Sequence, residues 1–446
     1  MQKKPTSFDT NESEDDIMKK KQFAVTAAGM ILTMACLLTG CGSNRIAETF
    51  SSQITETVEA STSEVTAADT EVAEQTEEEA TVEETKEEET TVEETATEEI
   101  AEGSDLFTER DLTQTADLSE ANYITVTDGE NVSITEAGVY VLSGSAENVT
   151  VVVEAGDEDK VQLVLDGVSI TNANQPCILV ENADKVFLTS AEGSENSFTV
   201  SGAFTGDEDA AVFSKDDLVL NGLGTVTVSS TNDGIRSNDD VKLTGGTWNV
   251  TVSGSAIKAH DTLNVCDGVY NLYATDDGLH AEDNEDDTIG SIVIEGGTFN
   301  IQAGDDGIHA TTTVTVNEGN LNIAAAEGIE ATQVYINEGT INIQAADDGI
   351  NAGQKSDAMS IKLEINGGAL TIAMASGDTD AIDSNGDLAV NGGTIDITAQ
   401  SPFDYDGNCS YTGGTIIVNG TQVDSIQSQM MGGMGGGPMG GFGGRR

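Results

Sequence analysis

Residues 305–350 read DDGIHATTTVTVNEGNLNIAAAEGIEATQVYINEGTINIQAADDGI. The opening phrase, Asp305-Asp306-Gly307-Ile308-His309-Ala310, returns as Glu327-Gly328-Ile329-Glu330-Ala331 and as Asp347-Asp348-Gly349-Ile350-Asn351-Ala352. Upstream it occurs as Asp276-Asp277-Gly278-Leu279-His280-Ala281 and as Asn232-Asp233-Gly234-Ile235-Arg236. A second phrase alternates with it: Asn317-Glu318-Gly319-Asn320 and Asn337-Glu338-Gly339-Thr340 here, with relatives from Thr244-Gly245-Gly246-Thr247 to Thr412-Gly413-Gly414-Thr415. Successive copies are mostly 20 to 22 residues apart, and the step lengthens to 25 or more where the polar insertions 281–291 and 352–360 intervene. A period of this size, with turn residues between short apolar runs, is the signature of a solenoid.

Between the phrases apolar and polar residues alternate, as in a half-buried strand. Val314, Val316, Leu321 and Ile323 fall on one face, and so do Val334, Ile336, Ile341 and Ile343. The fold class that follows is all-β: a parallel β-helix with coils of about 20–25 residues. Equivalent residues of neighbouring coils then lie about 4.8 Å apart. Aligned coils give an inward ladder of Trp248, Tyr270, Phe299, Leu321, Ile341, Leu370, Ile395 and Ile416. Its outward neighbours are Asn249, Asn271, Asn300, Asn322 and Asn342, whose amides are placed to bond along the stack. Tyr273 and Tyr335 are expected to point outward.

Composition divides the chain of 446 residues into a leader with a signal peptide at 1–40, a Thr/Glu-rich linker at 41–115, the β-helix at 116–428 and a Met/Gly-rich tail at 429–446. The linker has no apolar periodicity and the tail is too rich in glycine to bury much surface, so both are expected to stay disordered. Lys19, Lys20 and Lys21 precede an apolar run from Phe23 to Leu38, and Leu38-Thr39-Gly40-Cys41 follows. That order is a secretory signal ending in a lipobox, which makes Cys41 the expected lipidated residue. The protein is then expected on the extracellular face of a bacterial cell membrane, lipid-anchored and monomeric. Cys177, Cys266 and Cys409 have no metal or disulfide spacing and are expected to be buried apolar thiols.

The formal net charge is −61. Nucleic acid and anionic lipid surfaces are therefore excluded as natural partners, and an anionic polymer would be met only through a cation.

The runs Asp159–Val168, Asn182–Leu188 and Phe213–Leu218, followed by the Asp-Gly-Ile and Gly-Gly-Thr coils, resemble a bacterial family of surface lipoproteins with carbohydrate-binding domains. The resemblance covers roughly residues 121–421. It implies a right-handed helix similar to pectate lyases, calcium in the coil loops, and binding of plant cell-wall polysaccharides, polygalacturonate and cellulose among them. It carries no catalytic signature onto this chain.

The acidic column has two readings of its own. Asp-Asp-Gly suits a tight turn, with Asp bonding its own backbone and Gly accepting positive φ. Yet Asp277, Asp306, Glu327 and Asp348 fall at equivalent corners with Asp276, Asp305 and Asp347 beside them, and stacked like charges are destabilising unless cations intervene. Calcium fits such hard oxygen ligands better than zinc or copper. Asp378 and Asp380 extend the candidate metal set, with Asp383, Asp404 and Asp406 nearby in sequence. The residue after each central Ile or Leu makes another outward ladder, and its first members, Arg236, Lys258, His280 and His309, form a candidate strip for successive uronate carboxylates. Arg236 and Lys258 serve equally well as neutralisers of neighbouring Asp residues.

Three functions remain open at this level: a surface-anchored, non-catalytic polysaccharide binder, a calcium-dependent pectate lyase, and a structural or adhesive spacer. A lyase needs a base near the cation, for which Lys258, Arg236 and Lys215 are the candidates. The chain is read as more a binder than an enzyme, because basic residues thin out along the stack.

Overall fold

The computed structural model describes residues 106–427 apart from Asn284, Gly377 and Asp378. Cys41, the leader, the tail and the candidate ligand Asp378 thus lie outside the described residues. Within them the chain winds as a parallel β-helix. Two strands of each coil belong to a 24-stranded sheet and the third to a 12-stranded sheet. One regular coil consists of Ser291–Ile294, Thr298–Gln302 and Asp306–Ala310, and the next of Thr313–Val316, Asn320–Ala325 and Glu327–Ala331. Two longer strands near the start, Gly138–Glu147 and Lys160–Asn172, run through the corner and join the two faces of the larger sheet.

The ladder read from sequence stands in register from Trp248 to Ile416. All its members are buried, and the Tyr270 and Phe299 rings stack with centroids 4.9 Å apart. Parallel columns from the other two faces, such as Ile292–Val314–Val334–Leu363 and Leu279–Ile308–Ile329–Ile350, complete the core. Outside it, the amide ladder forms as expected: Asn271 donates to Asn249 at 2.8 Å, Asn300 to Asn271 at 2.9 Å, Asn322 to Asn300 at 3.2 Å and Asn342 to Asn322 at 3.1 Å. A second amide ladder stands at the neighbouring corner, where Asn337 donates to Asn317, Asn366 to Asn337 and Asn391 to Asn366. Tyr273 does point outward and is 48% exposed, and Lys362 lies over the outward Tyr335 ring.

Two sequence expectations need correction. The Gly of the Asp-Gly-Ile phrase is not a positive-φ turn residue, since Gly234, Gly278, Gly307, Gly328 and Gly349 all lack positive φ. Positive φ belongs instead to the other phrase, for example Gly297 at 90° and Gly319 at 110°. Gly307 faces the neighbouring coil, where an added Cβ would meet Ile323 Cγ2 and, at 2.6 Å, the carbonyl oxygen of Gly328. Close approach of backbone to backbone, not turn geometry, requires glycine there. Among the described cysteines only Cys177 is buried; Cys266 sits in a turn and Cys409 in a terminal coil, and both are half-buried. Burial pushes the Cys177 thiol up to about 12, so it behaves as an inert apolar group.

At the N-terminal end a single helical turn, Glu109–Leu112, closes on a capping box between Thr108 and Asp111. Composition groups residues 106–115 with the linker, yet they dock across the outer face of the early coils. Asp111 is buried between Lys185 at 3.5 Å and Lys242 at 3.2 Å, and the Arg110 guanidinium lies 4.5 Å from the centre of the Phe187 ring. At the other end, Asn419-Gly420 turns the chain so that Thr421–Val423 pairs antiparallel with Thr415–Val418. All the other pairings between strands of the described residues are parallel.

Candidate functional site

The narrower sheet carries the acidic column, and its first task is structural. Asp277 Oδ1 accepts the backbone N–H of Asp306 in the next coil at 2.9 Å. Asp233 does the same for Ser255 and Asp348 for Asp380. One oxygen of each carboxylate thus stitches coil to coil, and the other is left for different chemistry.

At Asp277 that other oxygen meets histidine, and Asp306 makes the same contact with histidine one coil on. His280 Nδ1 lies 2.6 Å from Asp277 Oδ2 and its Nε2 3.2 Å from Glu282 Oε2. One coil on, His309 Nδ1 lies 2.7 Å from Asp306 Oδ2 and 3.1 Å from Glu330 Oε2. The spacing of Asp and His by three residues makes both pairs, and parallel register stacks the two imidazoles with centroids 4.9 Å apart. Lys355 Nζ reaches Glu330 Oε2 at 2.7 Å, and Asn351 donates its amide to Glu327 at 3.0 Å and Glu330 at 3.2 Å. Asn351 turns its Nδ2 to these anions although its own Oδ1 is left buried without a donor.

The charged groups among these line one open groove with a volume of about 320 Å³. Of the residues marked by sequence, Asp276, Asp277, Asp305, Asp306, Glu327, His280 and His309 come together in it, joined by Glu282, Glu330 and Lys355. Asp347, Asp348 and Asp380 stand further along the stack and do not line it. Arg236 and Lys258 precede His280 in the same outward ladder. Arg236 is turned onto Asp209 at 2.9 Å and Asp233 at 3.9 Å and lies over the Phe213 ring, which is the arrangement of a local neutraliser.

Glu282 and Lys355 were not singled out by repeat spacing because they belong to the insertions that interrupt it. Both insertions leave the same corner, after Leu279–Ala281 and after Ile350–Ala352, three coils apart. They meet where the Asp357 N–H donates to Asp287 Oδ2 at 2.6 Å, and so wall the groove between them. The signal was the lengthened period itself, twice at one corner.

Seven carboxylates face three bases in this groove. Burial opposes charge on His309, but its bonds to Asp306 and Glu330 outweigh that and hold its pKa up to about 10. Burial would likewise raise Glu330, yet His309 and Lys355 hold it low. Burial, with repulsion from Glu330, Asp306 and Asp348, pushes Glu327 up in spite of the Asn351 bond. The hydrogen bond from His280 holds Glu282 down to about 2. The cavity is short of positive charge, and each of its three bases is engaged by a carboxylate.

A family model described as carbohydrate-binding domain-containing protein matches residues 128–379. A carbohydrate-binding domain-containing protein of Acetivibrio thermocellus is 35% identical over 126 residues, 27% of this chain and 44% of that protein, so the chain spans less than half the length of that relative. Among solved structures, that of a polysaccharide lyase-like protein from C. thermocellum, in a gadolinium derivative, is 28% identical. It aligns with a TM-score of 0.45 over 50% of this chain and 96% of the other. The family match takes in more than half of the sequence, including every residue of the groove, and the chain belongs to the carbohydrate-binding domain-containing protein family.

Proposed function

We infer that this chain binds acidic cell-wall polysaccharide, polygalacturonate foremost, through calcium held in the groove, and that it does not cleave it. The observation that carries the reading is the imbalance of seven carboxylates against three bases on one face of a carbohydrate-binding domain. A polyuronate would be repelled by that face unless a cation stood between them.

The donor set fits calcium. Asp276, Asp277 and Asp305 each bring an oxygen within 4.8 Å of the others, and Ser255 Oγ lies 3.3 Å from Asp276 and 3.4 Å from Asp277. These are hard oxygen donors on the outward side of a turn, the type calcium takes. Asp276, Asp277 and Asp305 would hold the ion, which when bound supplies the positive charge that a uronate carboxylate requires. In the other half of the groove, His309 already stands between Asp306 and Glu330 as a stand-in cation.

A lyase would need an unprotonated base beside that ion. Lys355 is the lysine in the groove, and although burial favours its neutral form, the bond to Glu330 raises its pKa above the ordinary lysine value. An ammonium held in this way is suited to pairing with anions and not to abstracting protons, which favours binding over cleavage.

Co-sedimentation with insoluble polygalacturonate tests the reading. Binding should be strong in millimolar calcium, vanish in chelator and weaken about tenfold or more in Asp276→Asn/Asp305→Asn, because ligand charge moves calcium affinity by decades. Retention that ignores the chelator would sink the calcium bridge, and ultraviolet absorbance from unsaturated oligouronides would sink the non-catalytic reading. We further infer that Cys41 tethers the domain to the outer face of the membrane, on the strength of the lipobox order at 38–41. Cys41→Ala should then move the protein from the membrane to the soluble fraction, and continued lipid labelling of that variant would refute the anchor.

A further inference from the structure

We propose that Lys355 is a built-in counter-cation that occupies the Asp306–Glu327–Glu330 half of the groove, and so limits how many divalent ions the groove accepts and where they sit. The proposal rests on the reading of the groove as a calcium site, and it adds what decides the capacity of that site.

The loop that brings Lys355 is anchored, not loose. Thr332 is fully buried one coil earlier, its hydroxyl donating to the Thr311 carbonyl at 2.7 Å. The same oxygen accepts the backbone N–H groups of Lys355 at 3.1 Å and of Ser356 at 2.8 Å. Two residues on, the Asp357 N–H is tied to Asp287 of the opposite wall. From this platform the side chain reaches back one coil to Glu330, which is only 8% exposed and already shares His309 and the Asn351 amide. The groove therefore has two unlike halves. Asp306, His309 and Glu330 bring ligand atoms within 4.8 Å of one another, as Asp276, Asp277 and Asp305 do, but only the former set has an ammonium delivered onto it.

The physical consequence is competition within one molecule. A divalent ion entering beside Glu330 must displace a tethered ammonium or sit against it, and two positive charges a few ångström apart repel strongly even under surface screening. Binding is directed to the Asp276–Asp277–Asp305 half, and the number of ions is kept below what the carboxylates alone would take. Removing the charge while keeping the apolar stem should leave His309 alone on Asp306 and Glu330 and so ease the entry of an ion into the second half.

Calorimetric titration of the chelator-treated protein with calcium chloride tests this in wild type, Lys355→Met and Lys355→Arg. Lys355→Met should bind one further equivalent, or bind about tenfold more tightly, whereas Lys355→Arg should match wild type. Added calcium should also raise the melting temperature of Lys355→Met by more than that of wild type. Equal stoichiometry, affinity and thermal response in Lys355→Met and wild type overturn the proposal and leave the calcium reading standing. Binding by Lys355→Met but not by wild type supports it while refuting calcium in the native groove. Silence in all three proteins refutes both.

Discussion

With divalent cations chelated, the melting temperature of this protein should fall as pH rises from about 5 to about 9. His309 is held up to about 10 against an ordinary value of 6.5, since its carboxylate partners outweigh burial. A base raised on folding contributes stability that is full below pH 6.5 and is lost as pH climbs through 10. The acids of the column act in the same direction. Burial first, and repulsion from neighbouring carboxylates after it, lifts Asp348 to about 6 and Asp383 to about 7, with Glu327 raised as well. The folded chain keeps protons there that the unfolded chain has released, so a penalty develops as pH rises from about 4 through those folded values. A tenfold change in proton affinity is worth about 1.4 kcal/mol, and after discounting for partial exposure and coupling the combined loss should be on the order of 5 kcal/mol. Below about pH 4 the sign reverses, because Glu282 and Glu330 are held low and lose their contribution on protonation. Thermal melts at pH 5, 7 and 9 in chelator read the effect directly, and millimolar calcium should flatten it. A melting temperature that rises with pH over this range would contradict the charge balance drawn for the groove.

Replacing Gly307 by Ala should destabilise the stack by about 3 kcal/mol, the cost of forcing a methyl group into a filled interior. The new Cβ would press on Ile323 and the Gly328 carbonyl, and backbone in a parallel stack has no room to withdraw without breaking a ladder on either side. Gly167 provides the comparison, since its φ is +74° but nothing lies within 4 Å of an added Cβ. Gly167→Ala should cost only about 1 kcal/mol, the ordinary penalty of a left-handed residue. Equal denaturation midpoints for the two variants would mean that coil-to-coil contact does not govern the phrase.

The two glycines also mark how far the sequence could be read. Ladders were legible because side chains alternate with period two and parallel coils repeat in register, so aligning Trp248 with Phe299 and Asn271 with Asn300 was enough to place them. The same alignment brought Asp277 and Asp306 to one corner with His280 and His309. It could not say that Asp277 divides its two oxygens between a backbone N–H and an imidazole, because that depends on rotamers. Nor could it place Lys355, since an insertion obeys no period and its reach is decided by one buried hydroxyl, Thr332. For Gly307 the phrase suggested a turn, and only the distance to the neighbouring coil shows why the Cβ is missing.

The final hairpin has a consequence for the molecule as a material. A parallel stack with in-register asparagine columns has the geometry of a growing fibril, and its last coil would template the first coil of another copy. Thr421–Val423 occupies part of that edge with reversed polarity, so an incoming parallel strand finds its hydrogen-bond pattern mismatched there. Three residues beyond an Asn-Gly turn thus cover part of an edge that a parallel strand of another copy would otherwise find free.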